Sequence, residues 1–594
     1  MPNNYSSPIV SMKLFQLTLL VLFLALSTLP TQAQEANSTF FNPVLPGWHS
    51  DPSCIRVDDT FYCVTSTFIA FPGLPIYASK DLKNWRLISH VWNRESQLPG
   101  VSWNTTIQQD GMWAPTIRYH DNEFWVICEY ILNGATLEDV GDGTLGVLFR
   151  TTDPWSDEAW TDPLIFHPNK IDPDIFWDDD GKVYVATQGI VLQELDLITG
   201  ELTQPAISIW NGTGGNWPEG PHIYKRDGWY YLLIAEGGTG SKHAVTISRA
   251  KKIYGPYESN PANPILTNRN TTEYFQRVGH GDLFDDVDGN WWALVHASRC
   301  GNEFKVHPMG RESVIAPARW DEVGWPVIDT VRGEMETWPL PAENRDVPGD
   351  GYFNGEPDEF DWDASSVIPK HFLHHRVPRY ENFEFTEDGL EIVPSRSNLT
   401  GNYGGDISLT GQRGISFVGR RQTQTIFNFS VDVSISATQV GQEAGITAFL
   451  AQENHMEIAL AYLKPCNEEA GLFVRFRSHG ALRSPSAQFR LPSDWVDAES
   501  VRLHIQARDP DNYVLGASLR DGEILELGTA SAELISRLDS AKSGTFIGAL
   551  LGVYATCNGA GEGMDCPEGG LGKFQRWRYS PVAQYVDYDR SVPV

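Results

Sequence analysis

Apolar residues in this chain fall into short runs and strict alternations, while the 3.6-residue stripe of a surface helix is scarce. Five segments share one form, a tight-turn dipeptide followed by an aromatic and β-branched run. They are DDTFYCV from Asp58, DNEFWVI from Asp121, DGKVYVA from Asp180, DGWYYLL from Asp227 and DGNWWAL from Asp288. Each reads as a hairpin, because these dipeptides suit a tight turn between two strands. Successive turns are 47 to 63 residues apart, enough for a four-stranded sheet with its loops. Repetition at that period predicts an all-β chain opening with a five-bladed β-propeller over residues 40–340. The competing reading is an ordinary β-sandwich with Asp-Gly hairpins.

The Pro-rich, acidic stretch TWPLPAENRDVPGDG ends at Gly351 and reads as a linker over 341–352. Beyond it the alternation is cleaner. Phe427, Phe429, Val431, Val433 and Ile435 share one strand face, and Asn428, Ser430, Asp432, Ser434 and Ser436 share the other. VRLHIQA continues the pattern, and YVLGASLRDGEILEL reads as a hairpin. Together these predict a β-sandwich over 353–594.

The N-terminus breaks the β pattern. Lys13 precedes the apolar run LFQLTLLVLFLALSTL, and PTQAQ follows with small residues at Thr31 and Ala33. This is the form of a secretory signal peptide over 1–33, cleaved after Ala33; Met12 opens a more typical one than Met1. No later segment is long and apolar enough to cross a bilayer as a helix. Asn-X-Ser/Thr sites at Asn37, Asn104, Asn211, Asn270, Asn398 and Asn428 suit a glycosylating secretory route. The formal net charge of −31 argues against nucleic acid or an anionic membrane as partner. Seven cysteines are too few for a disulfide scaffold. Cys54 and Cys63 face each other across the hairpin at Asp58-Asp59, and Cys557 and Cys566 flank a Gly-rich loop. The odd count leaves at least one thiol unpaired, and no spacing resembles a zinc site.

The candidate chemistry stands just upstream of the repeated turns. Seven residues before Asp58 is Asp51; eight before the other four are Trp113, Asp172, Glu219 and His280. Equivalent positions of successive blades are related by rotation about the propeller axis, so these five side chains are expected to converge on one axial pocket. Two carboxylates facing across a cavity suit glycosidic bond cleavage, one as acid and one as base or nucleophile. A third would raise the acid's pKa by like-charge repulsion. Taken singly the residues have plainer readings: Asp-Pro at Asp51 and Asp172 is a common turn initiator, and Trp113 and His280 suit a core. Glu219 is harder to place as a turn residue, and the shared phase unites the set.

NPVLPGWHSDPSCI, GMWAPTIRY, IDPDIFWDDDGKVY, WPEGPHIY, GHGDLFDDVDGNWW and MGRESVIAPARWDEVGWPVI, in that order, resemble glycoside hydrolase family 43. The resemblance is greatest to its β-xylosidase/α-L-arabinofuranosidase branch, which carries a C-terminal concanavalin-A-like β-sandwich. It implies an inverting mechanism with Asp51 as general base, Glu219 as general acid and Asp172 tuning Glu219 and orienting the sugar. By the same resemblance Arg311 contacts the sugar and nearby carboxylates, Phe68 and Trp113 are apolar walls, and His280 lies beneath the terminal sugar. Phe546, in SGTFIGALLGVYA, matches a loop phenylalanine of the sandwich that helps close the pocket. No cofactor is expected to be required, with room allowed for a calcium ion near His280. The chain has WHSDPS where many relatives have Asn-Pro-Asp-Pro-Ser, so His49 and Ser50 bear on pentose preference. The expected activity is that of a secreted, exo-acting glycosidase releasing terminal xylose from plant cell-wall oligosaccharides. The alternatives are an α-L-arabinofuranosidase, a dual enzyme and, more remotely, a non-catalytic carbohydrate-binding propeller.

Overall fold

The computed structural model describes residues 38–594 apart from 106–107, 133–142, 169, 322–323, 402–414, 521, 541–544 and 563–564. The signal peptide and the site at Asn37 lie outside the described residues. Contacts divide the chain into a small unit, 1–39 with 336–340, and a large one comprising the rest. In the small unit the Ser38 hydroxyl donates to the Trp338 carbonyl at 3.1 Å. All that follows concerns the large unit.

Five antiparallel sheets of four consecutive strands follow one another, the second with an extra short strand at Gly111–Met112. Their first strands are Ser53–Val57, Thr116–His120, Asp174–Trp177, Glu219–Arg226 and Phe275–Asp285. Each of these touches the first strand of the next sheet, and the fifth touches the first, so they form a closed ring. The sheets are the blades of a five-bladed β-propeller, with the ring as its axis. The segment before blade one fastens the closure: Val44 and Leu45 amides donate to the Ser313 carbonyl in blade five at 3.1 and 3.2 Å.

The repeated dipeptides are the turns between the first two strands of each blade. Blades one, two and four turn in two residues, between Val57 and Thr60, His120 and Glu123, and Arg226 and Trp229. Asp121-Asn122 and Asp227-Gly228 have both φ angles positive, the backbone that matches strand twist. Blades three and five use longer turns, Trp177 to Val183 and Asp285 to Trp291. In blade five the Asp286 carboxylate organises the turn by accepting from the amides of Asp288 and Asn290 and from the Trp292 indole.

The second body is a sandwich of a nine-stranded and a seven-stranded antiparallel sheet. Phe427, Phe429, Val431 and Val433 are fully buried in its core with Ile446, Ala448, Met456 and Ile458 of the facing sheet. Ile435 packs at the margin. On the opposite face Asp432 is buried, with the Arg502 guanidinium donating to it at 2.5 Å and Arg576 on its other oxygen. The strands Asn512–Ser518 and Leu525–Ser531 pair as the expected hairpin. Residues 341–352 lie along the outer strand of blade one. Arg86 donates to the Val347 and Gly351 carbonyls at 2.7 Å, and the Leu87 amide to the Tyr352 carbonyl at 3.0 Å. Disulfides join Cys54 to Cys63 and Cys557 to Cys566, leaving Cys128, Cys300 and Cys466 as thiols.

Candidate active site

A cavity of about 520 Å³ at the ring of first strands is lined by all eight sequence-derived residues: Asp51, Phe68, Trp113, Asp172, Glu219, His280, Arg311 and Phe546. A larger cavity, about 690 Å³, lies between blade one and the sandwich and contains none of them. Convergent chemistry, not volume, selects the axial one. The backbone there is unusual. Asp51, Phe68, Asp172, Trp217 and His280 all have φ between +43° and +58°. Such left-handed residues are uncommon outside glycine, and five of them gather at this one cavity.

Asp51 comes two residues before the first strand of blade one, and its carboxylate is surrounded by donors. Arg311 approaches with both terminal nitrogens, Nη1 to Oδ1 at 2.6 Å and Nη2 to Oδ2 at 3.1 Å. The Ser66 hydroxyl donates to Oδ2 at 2.9 Å. The Nδ1 atoms of His296 and His280 lie 3.1 and 3.6 Å from Oδ1. Burial alone would raise the Asp51 pKa, but Arg311 and then His296 overcome it and hold the carboxyl well below its ordinary value. Burial pushes the imidazoles down, His280 to about 3 and His296 to about 4, so both are neutral near pH 7.

Glu219 opens the first strand of blade four, where the pairing slips between it and His222. Its pKa is pushed up to about 7, first by burial and then by the Asp51 charge, against smaller opposing effects of Arg311 and Gln188. Asp172 accepts from the Gly220 amide at 3.0 Å, and its own amide donates to Glu129 Oε1 at 3.1 Å. Burial, then Glu219 and Glu129, raise Asp172 well above its ordinary value. The charge that lifts Glu219 is therefore that of Asp51, while Asp172 is itself raised. The arrangement sets one carboxyl held down, Asp51, beside one pushed up to about 7, Glu219.

An apolar wall adjoins this pair. Phe68 and Phe546 stack with centroids 6.2 Å apart, and Trp113 lies 5.9 Å from each. Phe546 belongs to the sandwich, and its carbonyl accepts from Arg311 Nε at 3.1 Å. Its amide donates to Gln109 Oε1 at 2.6 Å, while the Gln109 carbonyl takes the Trp113 indole at 2.8 Å. Trp217, two residues before Glu219, is 66% exposed and lines the same cavity.

Sequence reasoning missed Glu129, Ser66, Gln188, His296 and Trp217. Glu129 is fully buried with its pKa pushed up to about 8, chiefly by burial. Four of the five follow a rule the chain does carry: Ser66, Glu129, Gln188 and His296 each stand eight residues after a repeated turn. A hairpin brings that position back beside the one eight residues before. Among the described residues the metal-type grouping of three donors is His455, Glu457 and His479, in the sandwich and not at His280. Near His280 the cation beside Asp51 is Arg311 itself, which takes both carboxylate oxygens.

Residues 40–326 match the family described as Glycosyl hydrolases family 43, and 358–566 match the Beta xylosidase C-terminal Concanavalin A-like domain. A non-reducing end alpha-L-arabinofuranosidase of Bacteroides ovatus is 34% identical over 534 residues, 88% of this chain and 92% of that one. A xylosidase/arabinosidase of Humicola insolens is 31% identical, over 87% of this chain and 94% of its own. Among solved structures, a family 43 protein of Bacillus licheniformis superposes with a TM-score of 0.78 at 28% identity, over 91% of this chain and all of that one.

Proposed function

The chain belongs to glycosyl hydrolase family 43, and we propose that it is a secreted, exo-acting, inverting glycosidase that releases terminal xylose from xylan-derived chains. The observation that carries the reading is the opposed protonation of two carboxyls in one cavity. Asp51 is held ionised by Arg311, while Glu219 keeps a proton up to about pH 7. Asp51 takes a proton from the water that attacks the anomeric carbon, and Glu219 donates one to the departing glycosidic oxygen. The two project from blades one and four, which favours a water between base and sugar over direct attack by the carboxylate. Phe68, Trp113 and Phe546 offer apolar faces to the sugar ring, and the partly exposed Trp217 stands where the next residue of the chain would leave the pocket. Glu129 accepts the Asp172 amide and so fixes the turn from which Asp172 reaches the Glu219 strand.

The second reading is α-L-arabinofuranosidase, favoured by the name of the Bacteroides relative. Rates on nitrophenyl β-xyloside, nitrophenyl α-L-arabinofuranoside, xylobiose and arabinoxylan separate the two. Xylobiose cleavage at a rate comparable to the aryl xyloside supports the first; arabinose release from arabinoxylan with inert xylobiose establishes the second. Secretion rests on the N-terminal signal and the glycosylation sites. Protein recovered from culture medium is expected to begin at Gln34.

A further inference from the structure

We propose that the sandwich holds a divalent transition-metal site, of the kind that zinc fills, built from His455, Glu457 and His479. The site is independent of the catalytic cavity. Its three residues lie on a hairpin of the seven-stranded sheet, formed by Asn454–Leu463 and Gly471–His479. The register sets His455 directly opposite His479 and Glu457 opposite Arg477. Side chains alternate along a strand, so His455, Glu457 and His479 share the face turned away from Met456, Ile458 and Phe476 of the core. One ligand atom from each lies within 4.8 Å of the others.

The unpartnered atoms point to a bound cation. His455 is fully buried, and its Nδ1 sits 3.2 Å from the Ala451 carbonyl, which fixes the ring proton there. Nε2 therefore presents a lone pair, and among the described residues no group donates to it. It lies 3.8 Å from Glu457 Oε2, a buried carboxylate oxygen that likewise has no donor among the described residues. Two buried acceptors facing each other are unfavourable unless something positive stands between them. His479 Nε2, 3.9 Å from Glu457 Oε1, supplies the third donor from a side chain 32% exposed, which provides a route from solvent. Metal bonds of 2.0–2.2 Å in a tetrahedron need donors about 3.4 Å apart, which these side chains reach with small rotations.

The donor set also selects the ion. Two imidazoles and one carboxylate suit zinc and its neighbours, whereas calcium and magnesium require mainly oxygen. Three ligands leave a fourth position for water. The backbone carbonyl on His455 Nδ1 is the outer contact that orients a metal-bound histidine. Arg477 already occupies Glu457 Oε1, leaving Oε2 for the ion. Glu443 pairs with both Arg475 and Arg477, so the two neighbouring guanidinium charges are matched by two carboxylates.

The test is a zinc titration of chelator-treated full-length enzyme, by calorimetry and by thermal unfolding, in the wild type and in His479→Ala. His479 ends its strand and is partly exposed, so its loss leaves the sheet intact; unchanged hydrolysis of an aryl glycoside confirms this. The expected result is one equivalent bound by the wild type with a rise in Tm, and affinity lower by roughly tenfold or more in the variant. Glu457→Gln, which keeps the shape and removes the charge, is expected to weaken binding in the same way. The proposal is overturned if the wild type binds no zinc at millimolar concentration, or if His479→Ala binds with the same stoichiometry and affinity.

Discussion

Asp51 and Glu219 are carboxyls at matching positions of a repeat, and their neighbours make them opposites. Arg311 and Ser66 donate to Asp51, so it stays charged; Glu219 faces that charge from a buried site, so it holds its proton. If Glu219 is the acid, its value depends on how badly the leaving group needs a proton. Glu219→Ala is therefore expected to lose most of its activity on xylobiose and far less on an aryl glycoside of a very acidic phenol. Equal losses on both, with Tm unchanged, would remove Glu219 as proton donor. The pH dependence has a definite sign. The acid must be protonated, so kcat/KM should fall as pH rises through about 7, the raised value of Glu219. Stability follows the same group. The folded state binds this proton more tightly than the unfolded chain, so stability is lost as pH climbs from the ordinary carboxylate range through about 7. Glu219→Gln cannot ionise, and its Tm relative to the wild type should be higher at about pH 8 than at about pH 5. A constant Tm difference across that range would contradict the raised pKa.

At the scale of the hairpin, position in sequence became position in space through a simple symmetry. Residues seven or eight before a turn and eight after it come back to the same end of the strand pair, so four of the blades bring Asp51 with Ser66, Trp113 with Glu129, Asp172 with Gln188 and His280 with His296 to the axis. The first member of each pair was legible because all stand at the same phase ahead of the repeated turns. The second was not, since a lone Glu129 or His296 inside an apolar run looks like strand interior. The blade count was legible from the turns alone, although two turns are longer than their dipeptides suggest. Arg311 and Phe546 carry no local signal and came only from family resemblance. Residues 341–352 read as a linker because Pro, Gly and acid dominate; what the sequence could not show is that Arg86 holds the Val347 and Gly351 carbonyls. The strand opening at Glu219 also has a tight point. Gly220 has φ of +55°, and a Cβ there would lie 2.9 Å from the His280 ring. Gly220→Ala is expected to displace His280 and lower kcat/KM about a hundredfold with the fold retained. Near-normal rates in a folded variant would show that the ring can yield without cost.

The cavity draws on both domains: the propeller supplies Asp51 and Glu219, and the sandwich supplies Phe546 to the wall. If Asp51 is the base, the reaction has a stereochemical consequence. A water activated by Asp51 would attack from the face opposite the leaving group and give a product anomer opposite to the substrate's, which proton NMR of the nascent sugar would show; retention would remove Asp51 as base. The sandwich acts through Phe546 in two separable ways. Its backbone holds Arg311 Nε and Gln109, and its ring stacks on Phe68 beside Arg311. Phe546→Ala keeps the backbone bonds and removes only the ring. Asp51 should then remain paired with Arg311, so the acidic limb of the kcat/KM profile should stay where it is. What is lost is an aromatic face for the sugar, worth about 0.5–1.5 kcal/mol, which predicts a KM higher by roughly two- to tenfold and a smaller change in kcat. A shifted acidic limb would mean that the ring, and not the carbonyl, sets the position of Arg311, and the sandwich would then govern the base as well as the pocket wall.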